Sequence, residues 1–286
     1  MTRPMPAVFL GHGSPMNALE SSRFTDAWRA FGQSIQRPRA VLSVSAHWYV
    51  NTTAVTAMKR PPTIHDFYGF PKALFDVQYG APGLPELADE VAEALAPLWL
   101  GRDQDSWGID HGTWSVLVHV FPEADVPVVQ LSINALEPLR FHFELGAKLA
   151  PLRERGILVL GSGNVVHNLR RMDWRQPDAA FDWARRFDER ARELMLQDPA
   201  NVLSLAEHPD FEAAVPSPDH FIPLLTIAGL ASAAGRGAEI LVDGYAFGAI
   251  SMTSYGLDLP AAKPPVLSKE GTAPVPEDVP PEATNI

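Results

Sequence analysis

The chain has 286 residues, of which 46% are hydrophobic and 20% are charged, values that are ordinary for a globular protein. Its 23 basic and 34 acidic residues give a formal net charge of −11, which argues against a nucleic-acid partner because phosphate binding requires a basic surface. The absence of cysteine excludes disulfides, thiolate catalysis, cysteine-ligated zinc and iron–sulfur clusters, so any metal site must use histidines and carboxylates.

The amino-terminal segment predicts neither a signal peptide nor a membrane anchor. Only four strongly apolar residues, at positions 7–10, precede Gly11. A signal peptide needs an apolar stretch of about 7–15 residues, and a membrane helix needs about 20. We therefore expect a cytoplasmic protein without membrane contact.

Four short runs of apolar and β-branched residues predict buried strands, at positions 7–10, 40–46, 126–131 and 156–160. Between and after them, apolar residues recur every three or four positions, which is typical of amphipathic helices. The predicted helices cover residues 84–98, 138–153, 179–197 and 222–234. This alternation predicts a single α/β domain, in which a central and mostly parallel sheet has helices on both faces.

Two segments depart from this alternation. Residues 48–80 are rich in aromatic residues and prolines, and we interpret them as a long excursion over the edge of the sheet, a type of loop that is often functional. From Gly256 onward there is no aromatic residue, and prolines are frequent. We therefore predict a folded domain over residues 1–259 and a proline-rich, extended tail over residues 260–286.

Histidines follow three of the predicted strands. His12 lies between two glycines after the first strand, His47 directly follows the second, and His167 follows a glycine-rich turn after the last. The carboxyl ends of strands in an open α/β sheet line its ligand crevice, so we expect these imidazoles at one edge. Each has a structural explanation on its own: a tight turn for His12, core packing for His47 and helix capping for His167. Their repetition at equivalent positions favours a functional cluster.

Three further histidines lie in suggestive surroundings. His220 occupies a proline-framed loop beside Asp219, which could orient the imidazole or bind a metal itself. His111 lies next to a glycine and close to an aromatic residue, and His65 belongs to the aromatic excursion. The remaining histidines are interpreted as structural: His119, His142 and His208.

Six short motifs occur in order along the chain. They are His-Gly-Ser-Pro from His12, Ser-Ala-His-Trp from Ser45, His-Asp-Phe-Tyr-Gly-Phe-Pro from His65, Asp-His-Gly-Thr-Trp from Asp110, Gly-Ser-Gly-Asn-Val-Val-His-Asn from Gly161 and Ser-Pro-Asp-His from Ser217. Together they resemble the class III extradiol ring-cleavage dioxygenases, in the branch of the 4,5-DOPA extradiol dioxygenases. The resemblance covers residues 7–255, and its specificity comes from the series of motifs rather than from any one of them.

The resemblance implies a role for each motif histidine. His12, His47 and His220 correspond to the metal ligands, which implies an Fe(II) site. His167 corresponds to the acid/base residue, and His111 to a histidine that lines the substrate pocket. The resemblance thus implies a catalytic domain that opens the ring of a small aromatic diol with O₂.

The aromatic residues near these motifs are candidates for the walls of a pocket that binds a small aromatic ligand. We predict that Trp48, Tyr68 and Trp114 contact the substrate, together with His65 from the aromatic excursion. Phe67 belongs to the same apolar group.

The residues leave several alternatives open. Protocatechuate-type members of the wider class use two histidines and a glutamate, but no glutamate lies in an equivalent motif here, so the third ligand is either His220 or Asp219. Three facial ligands leave open positions that suit Fe(II) oxygen chemistry, yet three histidines also suit the zinc of a hydrolase. Because zinc ranks above ferrous iron in affinity, we expect zinc to occupy the site in purified protein. A non-catalytic metal-binding scaffold and a homo-oligomeric state also remain open.

Overall fold

A computed structural model describes residues 3–261 and residue 271. The strands of this part of the chain are β1 (Ala7–Gly11), β2 (Ala40–Val50), β3 (Ala54–Thr56), β4 (Gly101–Asp103), β5 (Val128–Asn134), β6 (Ile157–Gly163), β7 (Glu239–Val242), β8 (Tyr245–Ala246), β9 (Ile250–Ser251) and β10 (Ser254–Leu257). Eight of them form one sheet in the order β4-β3-β5-β2-β6-β1-β10-β7, and β8 pairs with β9 separately. The neighbours from β5 to β1 are parallel, as are β3 and β4, whereas β10 is antiparallel to both of its neighbours. The prediction of a mostly parallel central sheet is confirmed.

Helices cover both faces of this sheet. They are α1 (Arg23–Ser34), α2 (Lys72–Phe75), α3 (Pro85–Leu95), α4 (His111–Val120), α5 (Leu139–Lys148), α6 (Ala150–Glu154), α7 (Asp182–Gln197), α8 (Phe211–Ala214) and α9 (Ile222–Ala233). Successive side chains of a strand point to opposite faces. Accordingly, Ala7 and Phe9 of β1 pack in the same apolar cluster as α3, α7 and α9, whereas Val8 and Leu10 pack with α1 and α4. Helices on both faces of a single domain were predicted, and this is confirmed.

The predicted elements correspond to real ones, with several differences. The helix predicted over residues 138–153 is two helices, α5 and α6, because Pro151 lacks the N–H that would continue the hydrogen-bonding pattern of α5. Helices α1 and α4 were not predicted. The excursion over residues 48–80 includes β3, which joins the sheet beside β5, since a strand of three residues is too short to show a periodic pattern.

Strand β2 is longer than predicted, and His47 lies within it rather than after it. The step from Val44 to Tyr49 on β2 is matched only by the step from Leu131 to Ile133 on β5, so β2 bulges between these pairs. Bulges re-aim side chains, often next to active sites. The bulge therefore turns His47 out of the regular strand pattern at the carboxyl edge of the sheet.

Strands β2, β6 and β1 are adjacent and parallel, so their carboxyl ends meet at one edge. The backbone contact between β1 and β6 continues past the end of β1, since the His12 N–H donates to Gly163 O over 3.2 Å. This edge is where the histidines of the motifs gather.

Within residues 3–261 and 271, no helix combines the length and the apolar character that crossing a bilayer requires. The predicted tail over residues 260–286 lies outside the described residues, apart from Pro260, Ala261 and Gly271.

Candidate metal centre and active site

Three of the motif histidines converge at the carboxyl edge of the sheet. A ring nitrogen from each of His12, His47 and His220 lies within 4.8 Å of those of the other two. The Nε2 atoms of His12 and His47 are 3.3 Å apart, and the His220 ring centroid is 5.3 Å from that of His12 and 5.1 Å from that of His47. All three side chains are almost completely buried.

A serine determines which nitrogen of His12 is protonated. The Ser162 hydroxyl donates its single proton to the carbonyl oxygen of Gly112 at 2.5 Å. It must therefore accept from His12 Nδ1, which lies 3.0 Å away. His12 is consequently protonated at Nδ1, and the lone pair of its Nε2 points at the cluster.

Carboxylates have the same effect on the other two rings. Asp219 Oδ2 lies 2.5 Å from His220 Nδ1, and Asp66 Oδ2 lies 3.3 Å from His47 Nδ1. Although burial would raise the pKa of both carboxyl groups, the histidines beside them hold each pKa below its usual value. Ionised carboxylates only accept hydrogen bonds, so the protons lie on Nδ1 and both Nε2 atoms present lone pairs.

This arrangement fits a divalent cation. Burial lowers the pKa of His12 and of His47 well below the ordinary value, and the neighbouring imidazoles lower both further, so these rings are neutral as metal ligands must be. Lone pairs facing each other over 3.3 Å repel, whereas two nitrogens about 2.1 Å from a shared metal stand about 3.0–3.4 Å apart. His220 Nε2 is buried without a hydrogen-bond partner among the described residues, which costs about 1–3 kcal/mol unless a ligand binds it.

Asp219 lies behind His220 rather than in the cluster. Its carboxylate faces Nδ1 of the ring, on the opposite side from Nε2, and it is absent from the three-nitrogen group. In metal sites such carboxylates orient the imidazole and raise its basicity. The geometry thus favours His220 over Asp219 as the third ligand.

Two further imidazoles flank the cluster. The His111 ring is fully buried at the start of α4, 3.8 Å from the His47 ring, and its Nδ1 lies 2.9 Å from Asp66 Oδ1. The His167 ring stacks on the His220 ring, with centroids 3.5 Å apart and planes inclined by 4°. All five histidines that the motifs place in roles therefore lie together.

The predicted substrate-binding residues are more dispersed. Trp114 is fully buried, and its Nε1–H donates to Ile64 O at 2.8 Å, so its ring belongs to the core behind the site. His65 lies beside it, with Nε2 2.9 Å from Val77 O. Tyr68 is 71% exposed.

Two buried aromatic side chains lie beside histidines of the cluster or next to them in sequence. Phe67 meets the His111 ring edge to face at 5.5 Å. Trp48, next to His47 in the bulge, stacks on Trp107 with centroids 5.8 Å apart. Trp107 was not singled out in the sequence.

Glycine at position 112 is required by the approach of His47. A Cβ atom there would lie 2.6 Å from His47 Cδ2 and 2.7 Å from Ser45 Oγ. The sequence did not single out Asp66 and Ser162 as partners of the cluster histidines. Asp66 directly follows His65, and Ser162 lies inside the glycine-rich turn before His167. Their positions inside the motifs were the available signal.

The chain matches a family model described as the catalytic LigB subunit of aromatic ring-opening dioxygenase over residues 6–258. The chain belongs to this family. It is 47% identical over 257 residues to the 4,5-DOPA dioxygenase extradiol of Escherichia coli (strain K12), with 87% of this chain and 93% of the relative covered. A relative with the same name from Beta vulgaris is 34% identical, with 86% and 94% covered.

A solved structure agrees with this assignment. The crystal structure of an uncharacterized protein from Escherichia coli K12 superposes with a TM-score of 0.76 at 41% identity, covering 88% of this chain and 99% of the other. The resemblance to class III extradiol dioxygenases is confirmed, and this LigB-family chain is an extradiol ring-cleavage dioxygenase, an oxidoreductase. The alternatives of a zinc hydrolase and of a non-catalytic scaffold are therefore set aside.

Proposed function

We propose that this dioxygenase binds Fe(II) through His12, His47 and His220 and uses O₂ to open the ring of a catechol of the DOPA type. The observation that supports this most directly is the orientation of the three imidazoles. Each has its Nδ1 next to an acceptor, which leaves Nε2 available to a metal, and one ring nitrogen from each lies within 4.8 Å of those of the other two. DOPA-type catechols are proposed because the relatives from Escherichia coli and Beta vulgaris are named for 4,5-DOPA.

Bound Fe(II) would supply a Lewis acid for the catechol oxygens and a route for electrons from the ring to O₂, which otherwise reacts slowly with a singlet molecule. Three ligands on one side leave the other positions open for these molecules. The same nitrogen set binds Zn²⁺, which ranks above Fe²⁺ in affinity, so we propose zinc as the occupant in protein purified without added iron.

His167 is proposed as the acid/base residue. Its ring covers one face of His220, so it stands next to the cluster while the Nε2 of that ligand stays available to the metal. Imidazole changes its protonation state near neutral pH, so this ring can take the proton of a catechol hydroxyl and return it to the product.

His111 is proposed to orient the substrate. Asp66 faces its Nδ1, and its Nε2 is buried without a hydrogen-bond partner among the described residues. A polar substrate atom would satisfy this nitrogen and remove the cost of its burial. Phe67 beside it provides apolar surface for the aromatic ring.

Oxygen consumption with iron-loaded protein tests the proposal. Protein freed of metal, reloaded with Fe(II) under nitrogen and mixed with L-DOPA or protocatechuate in air should consume one O₂ per catechol. Products formed under ¹⁸O₂ should contain two labelled atoms, and an aldehyde-specific reagent should detect the semialdehyde that extradiol opening forms. Zinc-loaded protein is the matched control and should consume none. Stoichiometric iron without oxygen uptake on any catechol would contradict the proposal.

A further inference from the structure

A pocket of about 270 Å³ opens beside the cluster of proposed metal-binding histidines. The residues that line it are His167, Asn168, Leu169, Arg170, Pro216 and Ser217. Because the His167 ring stacks on the His220 ring, one wall of the pocket is separated from the proposed metal ligands by a single imidazole. A cavity of about 150 Å³ already accommodates a benzene molecule, so this pocket has room for more than the substituent of one aromatic ring.

Arg170 gives this pocket its charge. Among the residues that line the pocket, no acidic side chain is present, and Arg170 forms no ion pair with any described residue. The next residue, Arg171, is different, since its guanidinium lies over the Trp183 ring, 5.4 Å from the centroid. An unpaired cation beside the active site is notable in a chain with a net charge of −11, where acidic partners are abundant.

The backbone holds Arg170 at a constant place relative to His167. Both belong to one short segment, which ends in the 3₁₀ turn Leu169–Arg171. Asn168 anchors this segment twice: its N–H donates to Ala249 O at 3.1 Å, and its side-chain amide donates to Ala213 O at 2.8 Å. The proposed acid/base residue and the guanidinium are thus held on the same anchored piece of chain.

We propose that Arg170 binds a carboxylate on the side chain of the substrate, so that the enzyme prefers catechols with an anionic side chain. This inference rests on the proposed function, because it assumes that the catechol oxygens face the three histidines. The planar guanidinium pairs with a carboxylate through two parallel hydrogen bonds. A substrate whose side chain ends only in an ammonium group finds no acidic partner among the described residues of the pocket.

Three catechols of matched size test the preference. 3,4-Dihydroxyphenylpropionate, 4-propylcatechol and dopamine differ mainly in whether the side chain ends in a carboxylate, a methyl or an ammonium group. In Arg170→Gln the KM for the propionate should rise about three- to fivefold, because one charge-assisted pair at an exposed site is lost, while kcat changes by less than about twofold. The KM for 4-propylcatechol should not change, and Arg170→Lys should restore part of the affinity for the propionate.

Arg171→Gln is the matched control and should leave all three KM values unchanged. Equal changes for the propionate and 4-propylcatechol in Arg170→Gln would overturn the proposal, as would no change for the propionate. Calorimetric binding to the metal-loaded protein without O₂ tests the same preference independently of turnover. There the Kd for the propionate should rise about three- to fivefold in Arg170→Gln. If the protein binds the propionate in an Arg170-dependent way but does not turn it over, only the proposed function is refuted. If the wild-type protein binds the propionate and 4-propylcatechol equally, the carboxylate site is refuted.

Discussion

Replacing Asp219 tests whether its carboxylate orients the metal ligand His220 or binds the metal itself. In Asp219→Asn the amide oxygen can still accept from His220 Nδ1, but the negative charge that increases the basicity of Nε2 is lost. In Asp219→Ala both the charge and the acceptor are lost. The side chains of Asp219 and His220 are only 19% and 5% exposed, so solvent replaces little of what is removed.

The magnitude follows from that geometry. A hydrogen bond to a charged group contributes about 1.5–3 kcal/mol, and removing such an outer partner typically lowers metal affinity about 10–100-fold. We expect a loss of about tenfold for Asp219→Asn and about 100-fold for Asp219→Ala, which correspond to about 1.4 and 2.7 kcal/mol. In both variants excess metal should restore full occupancy.

Competition with a chelator of known affinity, using Fe(II) under nitrogen and Zn²⁺ in parallel, measures these changes. Asp125→Asn is the matched control, because Asp125 forms an exposed ion pair with Arg37 and should not affect metal binding. Two results would refute the reasoning. Unchanged affinity in Asp219→Ala would show that the contact with His220 is irrelevant, and loss of metal that excess cannot restore, as expected for His220→Ala, would make Asp219 a ligand.

Three further outcomes follow from the same site. His167→Gln should retain the metal while turnover falls about 10²–10⁴-fold, and lost metal with activity rescued by added Fe(II) would instead make His167 a ligand. Gly112→Ala should displace His47 and lower metal occupancy, whereas Gly80→Ala, with no atom within 4 Å of the new Cβ, should not; equal metal content in the two variants would contradict this. Metal-free protein should lose stability as pH falls below about 6.5, because burial lowers the pKa of His12 and His47 and only the unfolded chain takes up those protons there. Each contributes at most about 1.4 kcal/mol per pH unit, so denaturant unfolding at pH 7.5 and 5.5 that gave equal free energies would contradict this.

Local patterns sufficed for the elements that are long or strongly periodic. The strand at residues 156–160 and the helix at residues 222–234 were predicted close to their observed bounds, because apolar content and length alone distinguish such segments. Helix α1 was missed: Ser22 and Thr25 form a capping box at its start, but the usual sequence signature has Glu or Gln at the position of Thr25. Helix α4 is buried along nearly all its residues, so it shows no amphipathic period to detect.

The sequence by itself determined which residues are available for chemistry. The lack of cysteine left histidines and carboxylates as ligands, and the position of His12 after a parallel strand predicted the edge at which it would lie. The ordered motifs then implied roles for His111, His167 and His220 through their resemblance to a known family. Such information is local, or is preserved as a series of short local patterns, so it can be recognised without coordinates.

Only the tertiary structure decided how those residues face one another. The bulge that turns His47 depends on the register between β2 and β5, which belong to distant parts of the chain. The protonated nitrogen of His12 depends on Ser162 and on the carbonyl of Gly112, which are remote from it in sequence. Trp114 is an aromatic residue of the kind that lines ligand pockets, but its side chain is enclosed in the core. Burial depends on what packs around a side chain and not on its chemical type.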